Sequence, residues 1–153
     1  MTLDAGRACW ACSHCGSLVC PQPLPDGVRV TGERGHDCPI CRRSLTRAIL
    51  DDREPIEICE QCKGTLMPLR AFAETLTARR RAAQTASATA EPADPHDLQR
   101  RIACPECAAL MMTDWYYGPG NMVIDTCEHC GVVWLDAGEL RRAVDAPGPD
   151  RRC

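Results

Sequence analysis

Eight cysteines of this chain fall into four C-x2-C pairs: Cys38/Cys41, Cys59/Cys62, Cys104/Cys107 and Cys127/Cys130. A C-x2-C pair sits on a tight turn that aims both sulfurs into one small space. Two such turns brought together by a hairpin place four thiolates at tetrahedral corners, roughly 2.3 Å from a zinc ion. Seventeen residues separate the first two pairs and nineteen separate the last two; both gaps suit a zinc ribbon. The spacing therefore predicts two Zn2+ sites, Cys38/Cys41/Cys59/Cys62 and Cys104/Cys107/Cys127/Cys130. Four thiolates close the coordination shell, whereas a catalytic zinc keeps a position for water. The expectation is structural zinc and no enzyme activity. Four thiolates can also hold iron, and spacing alone separates the two metals poorly.

The same composition makes a metal necessary. Leu, Ile, Val and Phe number only 26 of 153 residues, too few for a well-packed core of ordinary size. Small domains with thin cores need disulfides or metals. The first twenty residues lack the apolar run of a secretory signal, and no run is long enough to span a membrane. These features predict a cytoplasmic protein with reduced thiols, in which cysteine pairs serve metals. The odd total of thirteen cysteines also fits a complete disulfide framework poorly.

The elements that must position the sulfurs recur. Cys38-Pro39-Ile40-Cys41 is echoed 66 residues later by Cys104-Pro105-Glu106-Cys107. Ile58-Cys59-Glu60-Gln61-Cys62 is echoed 68 residues later by Thr126-Cys127-Glu128-His129-Cys130. Such a repeat means one supersecondary unit used twice. Each unit should hold a β-hairpin: 45–50 with 56–59, and 112–117 with 122–126 about the turn Gly118-Pro119-Gly120-Asn121. Pro55 falls at a strand edge. An amphipathic helix is expected over 68–83, with Pro68 in its first position. Asp136 to Glu139 has the form of a capping box, with Asp136 accepting from first-turn amides and Glu139 reaching back; a short helix should follow to 143 or 145. Pro39 and Pro105 fix φ after the first Cys of each unit. Gly131 permits a positive φ after Cys130; Lys63 takes that place in the first unit, with Gly64 next.

The predicted fold is thus small and metal-stabilised: tandem β-hairpin zinc ribbons, each followed by a short α-helix and joined by a flexible linker. The segments are a Cys-rich N-terminal knuckle segment (1–35), the first ribbon plus helix (36–82), the linker (83–96), the second ribbon (97–146) and a tail (147–153). Residues 83–95 carry no large apolar side chain, and a helical turn is expected over 97–101.

From Cys127 to Leu140 the chain runs C-x2-C-G and then W-L-D-x-G-E-L. With Cys104-Pro105-Glu106-Cys107 this stretch resembles the transcription-factor-IIB-type zinc ribbon found in small bacterial proteins, and the first unit resembles it more loosely. The resemblance covers about half the chain. It implies metal binding through the eight cysteines and a transcription-related or nucleic-acid-binding role. In the general transcription factor the ribbon docks on RNA polymerase, so a protein partner is as natural as DNA.

Cys9, Cys12, Cys15 and Cys20 crowd the N-terminus. They could close a third zinc site, alone or with His14 or His36. Rival arrangements are a rubredoxin-like pairing of Cys12/Cys15 with Cys38/Cys41, an iron–sulfur cluster, or free thiols. Two functional readings stand beside the lead of an interaction module with a protein partner and no small-molecule substrate. One is a sequence-tolerant nucleic-acid binder using Arg79, Arg80, Arg81, Arg141 and Arg142 with Trp115 and Tyr117. Against it, the arginines at helix ends also complement the helix dipole, and a net charge of −3 is unusual for a nucleic-acid domain. The other is a thiol redox switch, which needs a low-pKa cysteine. Trp134 and Leu135 are expected to pack the ribbon core.

Overall fold

The computed structural model describes residues 2–4, 9–11, 14, 18–19, 27–82, 96–116 and 122–146. Strands β1 (Thr2–Asp4), β2 (Cys9–Ala11) and β3 (Leu18–Val19) pair antiparallel in that order. The rest is built on one larger sheet.

The first ribbon contains the expected hairpin, β5 (Ser44–Leu50) and β6 (Glu54–Ile58), preceded by β4 (Val28–Asp37) and followed by β7 (Thr65–Pro68). Asp51 and Asp52 in the hairpin turn take positive φ, 51° and 58°, which a short polar side chain tolerates. Pro55 pairs with Ile49, and β7 reaches only Glu57 and Ile58 of β6. The proline thus lies outside the β6–β7 ladder. In the second ribbon β8 (Met112–Trp115), β9 (Val123–Cys127) and β10 (Val132–Leu135) form the corresponding antiparallel set. The 118–121 turn lies outside the described residues.

β7 and β10 add a strand after the hairpin of each ribbon, beyond the hairpin and helix that the sequence predicts. They pair with each other antiparallel, Leu66 opposite Trp134 and Met67 opposite Val133. Leu66 and Trp134 are themselves equivalent positions, 68 residues apart. The ribbons are therefore welded edge to edge about a local two-fold, giving the sheet order β4-β5-β6-β7-β10-β9-β8. All four residues of β10 are buried, as befits a strand covered on both faces.

Alternation then makes two apolar clusters. Met67, Val133 and Leu135 face the helices α1 (Leu69–Ala82) and α2 (Glu139–Asp145), packing with Leu50, Ile56, Phe72, Leu76, Leu140 and Ala143. Leu66, Val132 and Trp134 face the other way, with Leu45, Ile102, Met111 and cysteines of both sites. Thin as the apolar content is, one cluster spans both metal sites.

Pro68 closes β7 and α1 begins at Leu69, one residue later than expected. The capping box is only half formed. Glu139 Oε2 accepts the Asp136 N–H at 2.7 Å, but Asp136 gives no cap to the first turn. Its carboxylate is taken by Trp134 Nε1 (3.1 Å) and Arg100, and the N-cap position is Gly138 at φ 82° with no side-chain cap. A 3-10 turn at Asp97–Gln99 stands for the expected helical turn. Residues 28–35, which the sequence left in the N-terminal segment, form most of β4. Among the described residues no helix is long and apolar enough to cross a membrane.

Candidate metal centres

Each Cys pair closes the same turn. The carbonyl of its first cysteine accepts the N–H of the residue after the second: Arg42 to Cys38 at 2.9 Å, Lys63 to Cys59 at 2.8 Å, Ala108 to Cys104 at 2.8 Å and Gly131 to Cys127 at 2.8 Å. All four donors have positive φ, 59°, 62°, 59° and 67°. Only the last is glycine, so Lys63 adopts the conformation that Gly131 adopts freely. Backbone amides point at sulfur, as Cys41 N–H does to Cys38 Sγ at 3.3 Å and Cys62 N–H to Cys59 Sγ at 3.5 Å. Such donors moderate thiolate charge.

The eight sulfurs gather into the two expected sets, each with all sulfurs within 4.8 Å of one another. The separations Cys38–Cys62 and Cys107–Cys127 are both 3.7 Å. Four sulfurs placed tetrahedrally at the zinc–thiolate distance lie about 3.8 Å apart, whereas a disulfide needs about 2.05 Å. None of these eight cysteines is disulfide-bonded. Crowding also sets the ionisation. Burial first, then the neighbouring sulfurs, pushes the Cys62 thiol far above the ordinary range. The Cys107 sulfur and burial do the same to Cys130. The backbone N–H of Ala109 holds Cys107 below it. Four thiolates this close need a cation among them. The donor set and its geometry fit Zn2+, one ion in each set. When bound, zinc supplies folding free energy; the chain's own contribution is the four closed turns that present the sulfurs.

Around the second site lies a part-buried polar clamp. Arg100 reaches both Asp125 and Asp136. Asp125, fully buried in β9, also accepts Thr113 Oγ1 at 2.5 Å. Arg100 therefore ties the segment before Cys104 to β9 and to the residue that follows β10. Glu139, 3% exposed, is pushed up to about 7 by burial, against the Asp136 N–H that favours its charge. Sequence reasoning missed Arg100 and Asp125. A charged residue at a buried position of the alternating strand Val-Ile-Asp-Thr-Cys was the available signal.

Between the two sites Trp134, fully buried, lies against Gly64 of the first ribbon. A Cβ at residue 64 would meet Trp134 Cζ2 at 2.2 Å. Trp134 is thus core, as expected.

The other candidates disperse. Cys12, Cys15 and Cys20, and the side chain of Cys9, lie outside the described residues, as does Tyr117. His14 is exposed. His36 binds Glu57, with its N–H to Oε2 at 2.8 Å and Nδ1 at 3.1 Å. Arg79 makes a bidentate pair with Asp51, both bonds 2.8 Å, and Arg80 donates to the Ala143 carbonyl at 2.9 Å. These two arginines fasten α1 to the first hairpin and to α2. Arg81, Arg141 and Trp115 are exposed and Arg142 is half-buried.

A family model described as a transcription factor zinc-finger, of the transcription-factor-IIB ribbon type, matches residues 103–146. No curated protein and no solved structure matches the chain. The matched segment holds all four sulfurs of the second set: Cys104 and Cys107 on the turn that precedes β8, Cys127 at the end of β9 and Cys130 on the turn between β9 and β10. Residues 103–146 thus resemble a zinc ribbon of the transcription-factor-IIB type, and the chain is a zinc-binding module with a second four-cysteine site at Cys38, Cys41, Cys59 and Cys62.

Proposed function

We propose that the chain is a non-catalytic docking module of the cytoplasm that joins a protein partner to a transcription-related process. One observation carries this reading: both metal centres have four sulfur donors, and a closed shell of four thiolates leaves no position for substrate or activating water. The eight described thiols, free of disulfides, favour a reducing compartment. The family match over 103–146 favours the link to transcription. The welded sheet supports docking over chemistry, since it holds both ribbons as one surface.

The test is affinity capture with cross-linking from native cytosol, comparing the zinc-loaded chain with a Cys127→Ser/Cys130→Ser variant. The reading expects a component of the transcription machinery, recovered in stoichiometric amount by the loaded chain alone. Equal recovery by both forms, or recovery of no protein, contradicts it.

A further inference from the structure

Beside the first metal centre the sheet opens into a polar basin of about 730 Å³ lined by Arg34, Arg42, Arg43, Ser44, Thr46 and Gln61. All three arginines are exposed, and none makes an ion pair with a described residue. Five other described arginines are in ion pairs: Arg29 with Asp52, Arg47 with Glu33, Arg70 with Glu74, Arg79 with Asp51, and Arg100 with Asp125 and Asp136. The one carboxylate in the lining, Glu60, accepts Thr46 Oγ1 at 2.9 Å. In a chain of net charge −3, three unmatched guanidiniums thus converge on one open surface.

A bland explanation is that these charges offset the thiolates of the zinc site. The second ribbon is an internal control for it. Its knuckle has the same carbonyl-to-amide bond and the same positive φ of 59°. Yet the positions equivalent to Arg42 and Arg43 are Ala108 and Ala109, and the equivalent of Arg34 is Arg100, half-buried and paired with two carboxylates. A four-cysteine knuckle of this fold therefore closes without those arginines. Nor does backbone strain select them, since a positive φ disfavours any residue with a Cβ.

We propose that Arg34, Arg42 and Arg43 form a contact surface for the phosphodiester backbone of a nucleic acid. Guanidinium forks match phosphate oxygens two at a time, and Ser44, Thr46 and Gln61 add neutral donors. The basin is open, polar and without aromatic residues, so it holds the backbone and does not read bases. It lies apart from Arg79 and Arg80, which the fold itself uses. The inference is independent of the protein-docking reading; either can fail alone.

Fluorescence anisotropy of the zinc-loaded chain with a labelled single-stranded oligonucleotide tests it. Three phosphate contacts predict a log–log salt slope of about −2. Arg42→Ala/Arg43→Ala, which gives the first knuckle the residues of the second, should fold and keep its zinc. Its slope should fall to about −0.7, with roughly tenfold weaker binding at low salt. Arg70→Ala, which removes an arginine elsewhere, should leave binding unchanged. No binding at low salt overturns the proposal. So does an Arg42→Ala/Arg43→Ala variant that binds like the parent, or equal competition by polyglutamate, which would mean attraction to any polyanion.

Discussion

Gly64→Ala measures whether the two ribbons are one body. The added Cβ would stand 2.2 Å from Trp134 Cζ2 and 2.9 Å from Cε2 and Cη2. Carbon atoms rest at about 3.5–4.0 Å, so the contact must open by more than about 1 Å. Trp134 has no free space, being 0% exposed between β7 and β9, with Nε1 held by Asp136. Overpacking of this kind costs about 1–3 kcal/mol, and backbone against a buried ring belongs at the upper end. Urea unfolding of the zinc-loaded protein, followed by circular dichroism with metal content checked, reads the loss. Trp134→Phe removes the ring atoms that clash. In a double-mutant cycle the Gly64→Ala cost should shrink by about 1–2 kcal/mol in the phenylalanine background. Loss of the Nε1 bond occurs on both arms and cancels. If Gly64→Ala lies within about 0.3 kcal/mol of the parent, or the cycle is additive, the ribbons do not dock through this contact and the welded sheet is wrong.

Three further outcomes follow from the same geometry. Arg100→Ala strands the buried Asp125 carboxylate and should cost about 3–5 kcal/mol in urea unfolding; Asp125→Asn in that background should restore a measurable part, and no restoration would contradict the clamp. Glu139 has its folded pKa raised from 4.5 to about 7, so the folded state holds the proton more tightly. Its contribution therefore falls as pH rises from about 4.5 to 7, by on the order of 3 kcal/mol in all; Glu139→Gln should gain on the parent between pH 6 and pH 8, and a constant gap would refute the assignment. Asp51→Asn keeps a residue tolerant of positive φ but loses the Arg79 ion pair, so its cost should stay below about 1 kcal/mol; a larger loss would show the pair holding α1 more firmly than a half-exposed contact does.

The cysteine sites were legible because their chemistry is local. Two-residue spacing marks each turn, a proline follows the first Cys in two of the four, and Gly131 supplies the positive φ in one. The hairpin 44–58 was legible from its alternation. β7 and β10 were not, because the apolar step Leu66-Met67 and the run Val132 to Leu135 carry no period, and their pairing sets Leu66 opposite Trp134, 68 residues on. β4 was hidden by Gly32, Gly35 and a run of charges; only Val28 and Val30 at one end show an apolar face, and its register shifts twice against β5. Asp136 misled in an instructive way. Its spacing from Glu139 has the form of a cap, but Arg100, 36 residues earlier, takes its carboxylate. Spacing could not show that Arg79 and Arg80 are taken up within the fold, by Asp51 and the Ala143 carbonyl. The basin at Arg34, Arg42 and Arg43 could not be seen, since strand pairing brings the first to the other two.

Metal removal with fold and metal read together tests the central claim most directly. A strong chelator, titrated into the reduced chain, should strip one zinc from each of the two four-cysteine sets, and the circular dichroism and cooperative melt should disappear in step. Re-addition of zinc should restore both. A chain that keeps its spectrum and its melting transition after its metal is gone would contradict the account.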